Sequence, residues 1–133
     1  MDALKAALLL VVAACAAPEP PVPPQLSAIE ERIFVPNCTF SSCHGEGGAG
    51  GSLTLTPGQA FAQLVSHACN DAQARADGLL RVAPGDPAHS FLFLKLHAID
   101  LKYGGRMPQD APPLSDAQIA SIEQWIAEGA QDN

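Results

Sequence analysis

Cys38-Thr39-Phe40-Ser41-Ser42-Cys43-His44 is the stretch that decides how this chain is read. It sets two thiols and an imidazole on one short loop. Each thiol is a nucleophile able to add across a vinyl group, and an imidazole directly after the second thiol is placed to bind iron. Together they carry the chemistry of covalent haem attachment, whose usual signature is C-x-x-C-H. Here four residues separate the cysteines instead of two. A disulfide closing the small Cys38–Cys43 loop competes for the same pair, so the surroundings must decide.

Upstream, Lys5 precedes an apolar run from Ala6 to Ala14. The run is far shorter than the roughly 20 residues needed to span a bilayer, and it reads as a secretory signal over residues 1–14. Val12-Ala13-Ala14-Cys15 resembles the lipobox of bacterial lipoproteins. That resemblance implies cleavage before Cys15 and acylation of its thiol, anchoring the chain in a membrane on the periplasmic side of the envelope. Ala16 in place of Asp after the acylated residue leans to the outer membrane. Residues 15–26 form the tether: between Ala16 and Gln25 there are five prolines, which exclude a helix or a central strand and leave an extended spacer.

The domain proper is expected over 27–133. The formal net charge is −7, and removing residues 1–14 takes away Asp2 and Lys5 together, so it stays −7. Nucleic acid demands a basic face and is excluded as a partner. An acidic surface suits either a basic partner, whose approach it speeds, or solubility alone. With Cys15 lipidated, Cys38, Cys43 and Cys69 remain, an odd number for an oxidising compartment. Cys69 is buried and inert, pairs between chains, or pairs with Cys38 and leaves Cys43 as the single haem anchor.

Helical spacing dominates the rest of the chain. Ser27 to Val35 reads as a short amphipathic helix, with Ser27 as N-cap, Glu30 completing a capping box and Pro36 ending it. Five glycines within 45–51 let backbone pass close to a bulky flat object. Leu53 to Thr56 alternates as a short extended piece. Thr56-Pro57 then starts a helix with Phe61, Leu64, Val65 and Ala68 on one stripe. Asn70 to Gly78 reads as a loop holding a turn of helix at most. Pro84-Gly85 makes a turn, and Asp86-Pro87 starts a helix over Ala88 to Ile99 that is apolar nearly all round. A loop with Gly104-Gly105-Arg106-Met107-Pro108 leads to the last helix, capped by Ser115 and Gln118 and ended at Gly129, with Trp125 as packing anchor.

This gives an all-α chain with long Gly/Pro-rich loops and a core that is small for its length. The order of short helix, Cys…Cys-His, glycine-rich loop, helices, Met-Pro loop and C-terminal helix resembles the class I c-type cytochromes. Pro84-Gly85-Asp86-Pro87 with Ser90-Phe91-Leu92, Arg106-Met107-Pro108 and Ile122-Glu123-Gln124-Trp125-Ile126 are similar to segments of planctomycete-type cytochrome c modules. By that resemblance Cys38 and Cys43 carry the thioethers of one haem c, His44 is the proximal iron ligand and Met107 the distal one. The four-residue gap departs from the family pattern and bears on double attachment. Two axial ligands imply electron transfer between redox protein partners and no enzymatic activity.

Other assignments stay open from the residues alone. Met107 could be core filler. His97, near Phe93 and Leu96, is the best rival for the distal position, while His67 and His89 sit at helix ends. The alternative function is a non-haem envelope lipoprotein stapled by a disulfide and acting as a binding module. A divalent metal at Cys43 and His44 lacks the four ligands a structural zinc takes.

Overall fold

The computed structural model describes residues 17–48, 50, 52–97 and 101–133, with Leu101 described in its backbone only. The signal segment, Cys15, Gly51 and Ile99 lie outside the described residues. Six α-helical segments run in order: α1 (Leu26–Ile29), α2 (Val35–Asn37), α3 (Ala60–Leu64), α4 (Ala72–Ala76), α5 (Phe91–His97) and α6 (Asp116–Ala127). Two 3-10 turns, Pro87–His89 and Leu101–Tyr103, join them. Among the described residues there is no strand, only isolated bridges such as Val65 with Val82 and Ala68 with Leu80. The described residues are helical without a strand, compatible with the all-α class expected. No helix among the described residues is long and apolar enough to cross a membrane.

α1 and α2 are joined by π-helical turns over Glu30–Phe34, so the helix runs on to Asn37. Leu26, Ile29, Ile33 and Phe34 are buried on its inner face. Pro36 does not stop the helix. A proline ring clashes with the carbonyl four residues back, and the wider π turn, with Val35 N–H donating to the Glu30 carbonyl, opens the backbone just where that clash would fall. Ser27 is not the N-cap either. That place is Gln25, and the first amides are met by the far end of the chain: Leu26 N–H donates to Asn133 Oδ1 at 2.9 Å and Ser27 N–H to the Asn133 carbonyl at 2.8 Å.

α6 forms as its sequence demands. Ser115 accepts from Gln118 N–H, and the Gln118 side chain returns the bond to the Ser115 amide at 2.9 Å. Ile122, Trp125 and Ile126 are fully buried, and Gly129 leaves with φ 109°. Trp125 Nε1–H donates to the Gln131 carbonyl at 2.9 Å, which satisfies its only polar atom. The packed region begins earlier than Ser27: Val22 is buried and its carbonyl accepts from Ser121 Oγ at 2.7 Å, so the end of the proline-rich stretch lies along α6.

The middle of the chain differs most from expectation. α3 ends at Leu64, because Val65 turns extended and Ser66 takes a positive φ. The stripe predicted through Val65 and Ala68 instead supplies bridges to the 80–82 segment, with Ser66 N–H donating to Val82 and Arg81 N–H to His67. α4 is a true helical turn, started by Asp71 accepting from Ala74 N–H at 2.7 Å. Asp86 caps the 3-10 turn at Pro87, and α5 comes directly after it.

Glu30 is the polar centre of this packing. Only 8% exposed, it accepts from Gly58 N–H at 3.0 Å and Ala60 N–H at 3.4 Å, capping α3 from across the fold in place of Thr56. Glu30→Ala leaves the buried Ala60 amide unpaired and the exposed Gly58 amide to water, and is expected to lose about 1–3 kcal/mol of unfolding free energy. Glu30→Gln, which keeps an acceptor, should lose less. Urea denaturation of the three proteins reads the difference, and equal losses would contradict this role.

Candidate functional site

The Cys loop leaves α2 without a break. Cys38 N–H donates to the Phe34 carbonyl at 2.7 Å, and Thr39 Oγ1–H to Val35 at 2.9 Å. Within the loop Cys43 N–H donates to Phe40 at 2.8 Å, and His44 N–H closes it onto the Cys38 carbonyl at 3.0 Å. The longer spacing between the cysteines is thus folded back on itself, and both thiols face one cavity.

His44 is held at three points. Besides its amide bond to Cys38, its carbonyl accepts from Leu55 N–H at 2.8 Å, and its Nδ1 lies 3.1 Å from the Leu53 carbonyl. A carbonyl can only accept, so in the neutral imidazole Nδ1 carries the proton and Nε2 keeps its lone pair. A ring fixed by a backbone acceptor on one nitrogen is the arrangement that orients histidine ligands. The extended Leu53–Leu55 piece therefore serves twice. It holds the ring with backbone while Leu55 is buried in the core.

The glycine run explains how the ring fits. A Cβ on Gly50 would fall on the His44 imidazole, and one on Gly48 would fall on the Cys43 carbonyl. Both positions need the absent side chain because the backbone wraps the Cys-His loop itself. The flat group that Gly50 passes is the imidazole, while Gly45 and Gly48 pass backbone carbonyls of the same loop.

The cavity is about 650 Å³, within the range of cofactor pockets. Cys38, Cys43, His44 and Met107 all line it, above apolar walls that include Phe34 and Leu64. Met107 reaches it from the long loop, which α5 secures: Met107 N–H donates to the Lys95 carbonyl at 2.8 Å, while Lys95 Nζ donates to Tyr103 at 2.9 Å and Gly105 at 2.5 Å. Burial lowers the pKa of this lysine, with Asp71 opposing. On the far side of the loop Tyr103 OH donates to Asp77 at 2.7 Å, and Lys102 pairs with the same carboxylate at 2.7 Å.

The other sequence candidates fall elsewhere. His97 is exposed, donates from Nδ1 to the Phe93 carbonyl at 3.2 Å and packs its ring on Phe93, away from the cavity. His89 pairs with Asp86 at the surface, and His67 is exposed. Cys38, Cys43 and Cys69 are free thiols. Cys69 is buried on the cavity wall and donates to the Leu79 carbonyl at 3.5 Å. Burial raises its pKa. Among the described residues no group of three or more His, Cys, Asp or Glu is gathered as a cage for a bare metal ion.

Comparison with known proteins yields no matching family model, curated protein or solved structure. The site is read from its own chemistry.

Two charged positions on the cavity wall escaped the sequence reading. Lys95 and Arg81 are each the lone charge in an apolar run, Phe91 to Leu96 and Leu79 to Val82. That isolation was the available signal, since a cation there must find acceptors indoors.

Burial, and then the neighbouring Cys43, push the Cys38 thiol up to about 12. At pH 8 roughly one such thiol in ten thousand is ionised. Cys38 in the folded, haem-free chain should therefore react with iodoacetamide at least about 100-fold more slowly than an unfolded cysteine. Mass-spectrometric peptide mapping over time measures this, and a rate equal to the unfolded control would contradict the burial.

Proposed function

We propose that the chain is a monohaem c-type cytochrome of class I cytochrome c-like fold that carries single electrons between redox partners. It works on the periplasmic side of a bacterial envelope, anchored through a lipid on Cys15. One observation carries the reading. The Cys38, Cys43 and His44 of one loop and the sequence-distant Met107 line a single cavity, and His44 keeps Nε2 available because Nδ1 is committed to Leu53.

The residues fit the group. Each thioether forms by adding S–H across a vinyl double bond, sulfur to one carbon and hydrogen to the other, so no oxidant is needed. Cys38 and Cys43 would supply the sulfurs. His44 Nε2, from the imidazole after the second thiol, and the Met107 sulfur, from the loop, would bind the haem iron. Haem supplies an iron that cycles reversibly between ferric and ferrous. Leucine and phenylalanine side chains of the cavity wall would pack against the group, and with His44 and Met107 bound the iron would keep no open position. Closed coordination favours outer-sphere electron transfer over oxygen or peroxide chemistry, and a methionine ligand favours the ferrous state relative to a second histidine. The net charge of −7 suits a partner with a basic face.

Expression in a host that attaches haem c should give a chain that stains for haem on a denaturing gel and is heavier by one haem. A colourless chain of unmodified mass refutes the proposal. Mapping of the haem peptide also decides whether both cysteines are bonded.

Met107→Ala is expected to keep the covalent haem yet lose the low-spin, methionine-ligated spectrum, with a lower midpoint potential. An unchanged spectrum would remove Met107 from the ligand set.

A further inference from the structure

The cavity wall that carries Met107 is held at its middle by a single residue. Met107, Pro108, Gln109, Ala111 and Leu114 all line the cavity. Among the described residues, the hydrogen bonds that tie the stretch 105–114 to the rest of the protein both end on Lys95. Its carbonyl accepts from Met107 N–H at 2.8 Å, and its Nζ donates to the Gly105 carbonyl at 2.5 Å and to the Tyr103 carbonyl at 2.9 Å. The backbone between those two acceptors is wound close around the ammonium. Gly104 takes φ 80°, and a Cβ built on it would lie 3.7 Å from Nζ.

Lys95 is itself well seated. Phe91 N–H donates to the Leu80 carbonyl at 2.8 Å and Leu92 N–H to the Arg81 carbonyl at 3.0 Å, which fixes the start of α5, and Leu96 is buried. The two ends of the loop are fixed as well. Tyr103 is held by its OH on Asp77 and by its ring, edge-on to Phe91 with centroids 5.5 Å apart, and Leu114 is buried in the core. Between these ends no residue from 104 to 113 is buried, and Met107 is only half-buried. Apolar burial is therefore a weak hold on the methionine, and the bonds to Lys95 are what place it. Two of the three come from a charged donor, the stronger kind.

We propose that Lys95 is the positioning residue for Met107: its ammonium winds the loop and sets how firmly the methionine sulfur is held at the iron. The inference rests on the haem reading and deepens it. The bond from the Met107 amide to the backbone survives any substitution at position 95, whereas the other two belong to the ammonium. Without them the stretch 105–114 keeps one tie, and the fraction of molecules with the sulfur withdrawn rises. An added ligand that needs the place of the sulfur binds in proportion to that fraction.

The test uses the full-length protein matured with haem, as wild type, Lys95→Met, Lys95→Gln, Lys95→Arg and Glu30→Ala. Titration of the ferric protein with imidazole, followed by loss of the sulfur-to-iron charge-transfer band, reads how readily Met107 is displaced. Lys95→Met, which keeps the reach of the side chain and removes its charge, is expected to bind imidazole about tenfold more tightly than wild type. Lys95→Arg keeps the charge and should fall between the two. Glu30→Ala lowers global stability without touching the loop and should titrate like wild type. Hydrogen exchange read by mass spectrometry gives a second measure: residues 105–114 should exchange faster in Lys95→Met while α6 matches wild type. Unchanged imidazole affinity in Lys95→Met, with covalent haem and the methionine band present, overturns this role and leaves the cytochrome reading standing. An equal gain in Glu30→Ala overturns it too, since general loosening then accounts for the effect. Should Lys95→Met fail to accumulate, Lys95→Gln decides by the same criterion. Covalent haem without a methionine band in the wild type removes Met107 from the ligand set and this role with it, and absence of covalent haem overturns both readings.

Discussion

The hydrogen bond from His44 Nδ1 to the Leu53 carbonyl is the constraint on which the site depends. It selects the tautomer, aims Nε2, and ties a loop that carries no regular structure to a segment that does reach the core. Removing it would leave the imidazole free to rotate, whatever the thiols did. The glycines exist on the same terms. A side chain at Gly50 would occupy the ring's own space, so the tightness of the wrap and the fixed ring are one feature.

Around this point the fold substitutes distant partners for local ones. Glu30 caps α3 from another helix, and Asn133 caps α1 from the last residue of the chain. Arg81 reaches back to Gln63, and Ser121 holds the Val22 carbonyl. Short helices with few turns cannot hold themselves. These bonds, together with burial of Ile122, Trp125, Phe34 and their neighbours, keep them in place.

That substitution marks the limit of what the sequence could tell. α6 was fully legible because its cap, its box and its terminal glycine lie within the segment itself. Asp86 with Pro87 was legible for the same reason. The Ser27 and Thr56 caps were not realised: α1 starts earlier, at Leu26, with its first amides taken by Asn133, and Glu30 takes the Gly58 and Ala60 amides. Val65 was placed in a helix by its spacing, whereas pairing with Val82 decided its backbone. The site divides likewise. The thiols, His44 and Met107 could be picked out by type and order, and the structure gathers them on one cavity. Arg81, Lys95 and the Leu53 acceptor could not, since a backbone carbonyl leaves no trace in sequence and a buried cation announces only that it needs company.

The loop bearing Met107 is fastened to parts of the chain made before it: to Lys95 through three bonds and to Asp77 through Tyr103 and Lys102. It cannot dock until α5 has formed, so this wall goes up after the Cys38–His44 loop as the polypeptide emerges. Through that interval the nascent cleft stands open on one side, with both thiols and the imidazole already in the portion synthesised earlier. A rigid guest too broad to squeeze through a finished doorway can be seated first and enclosed afterwards.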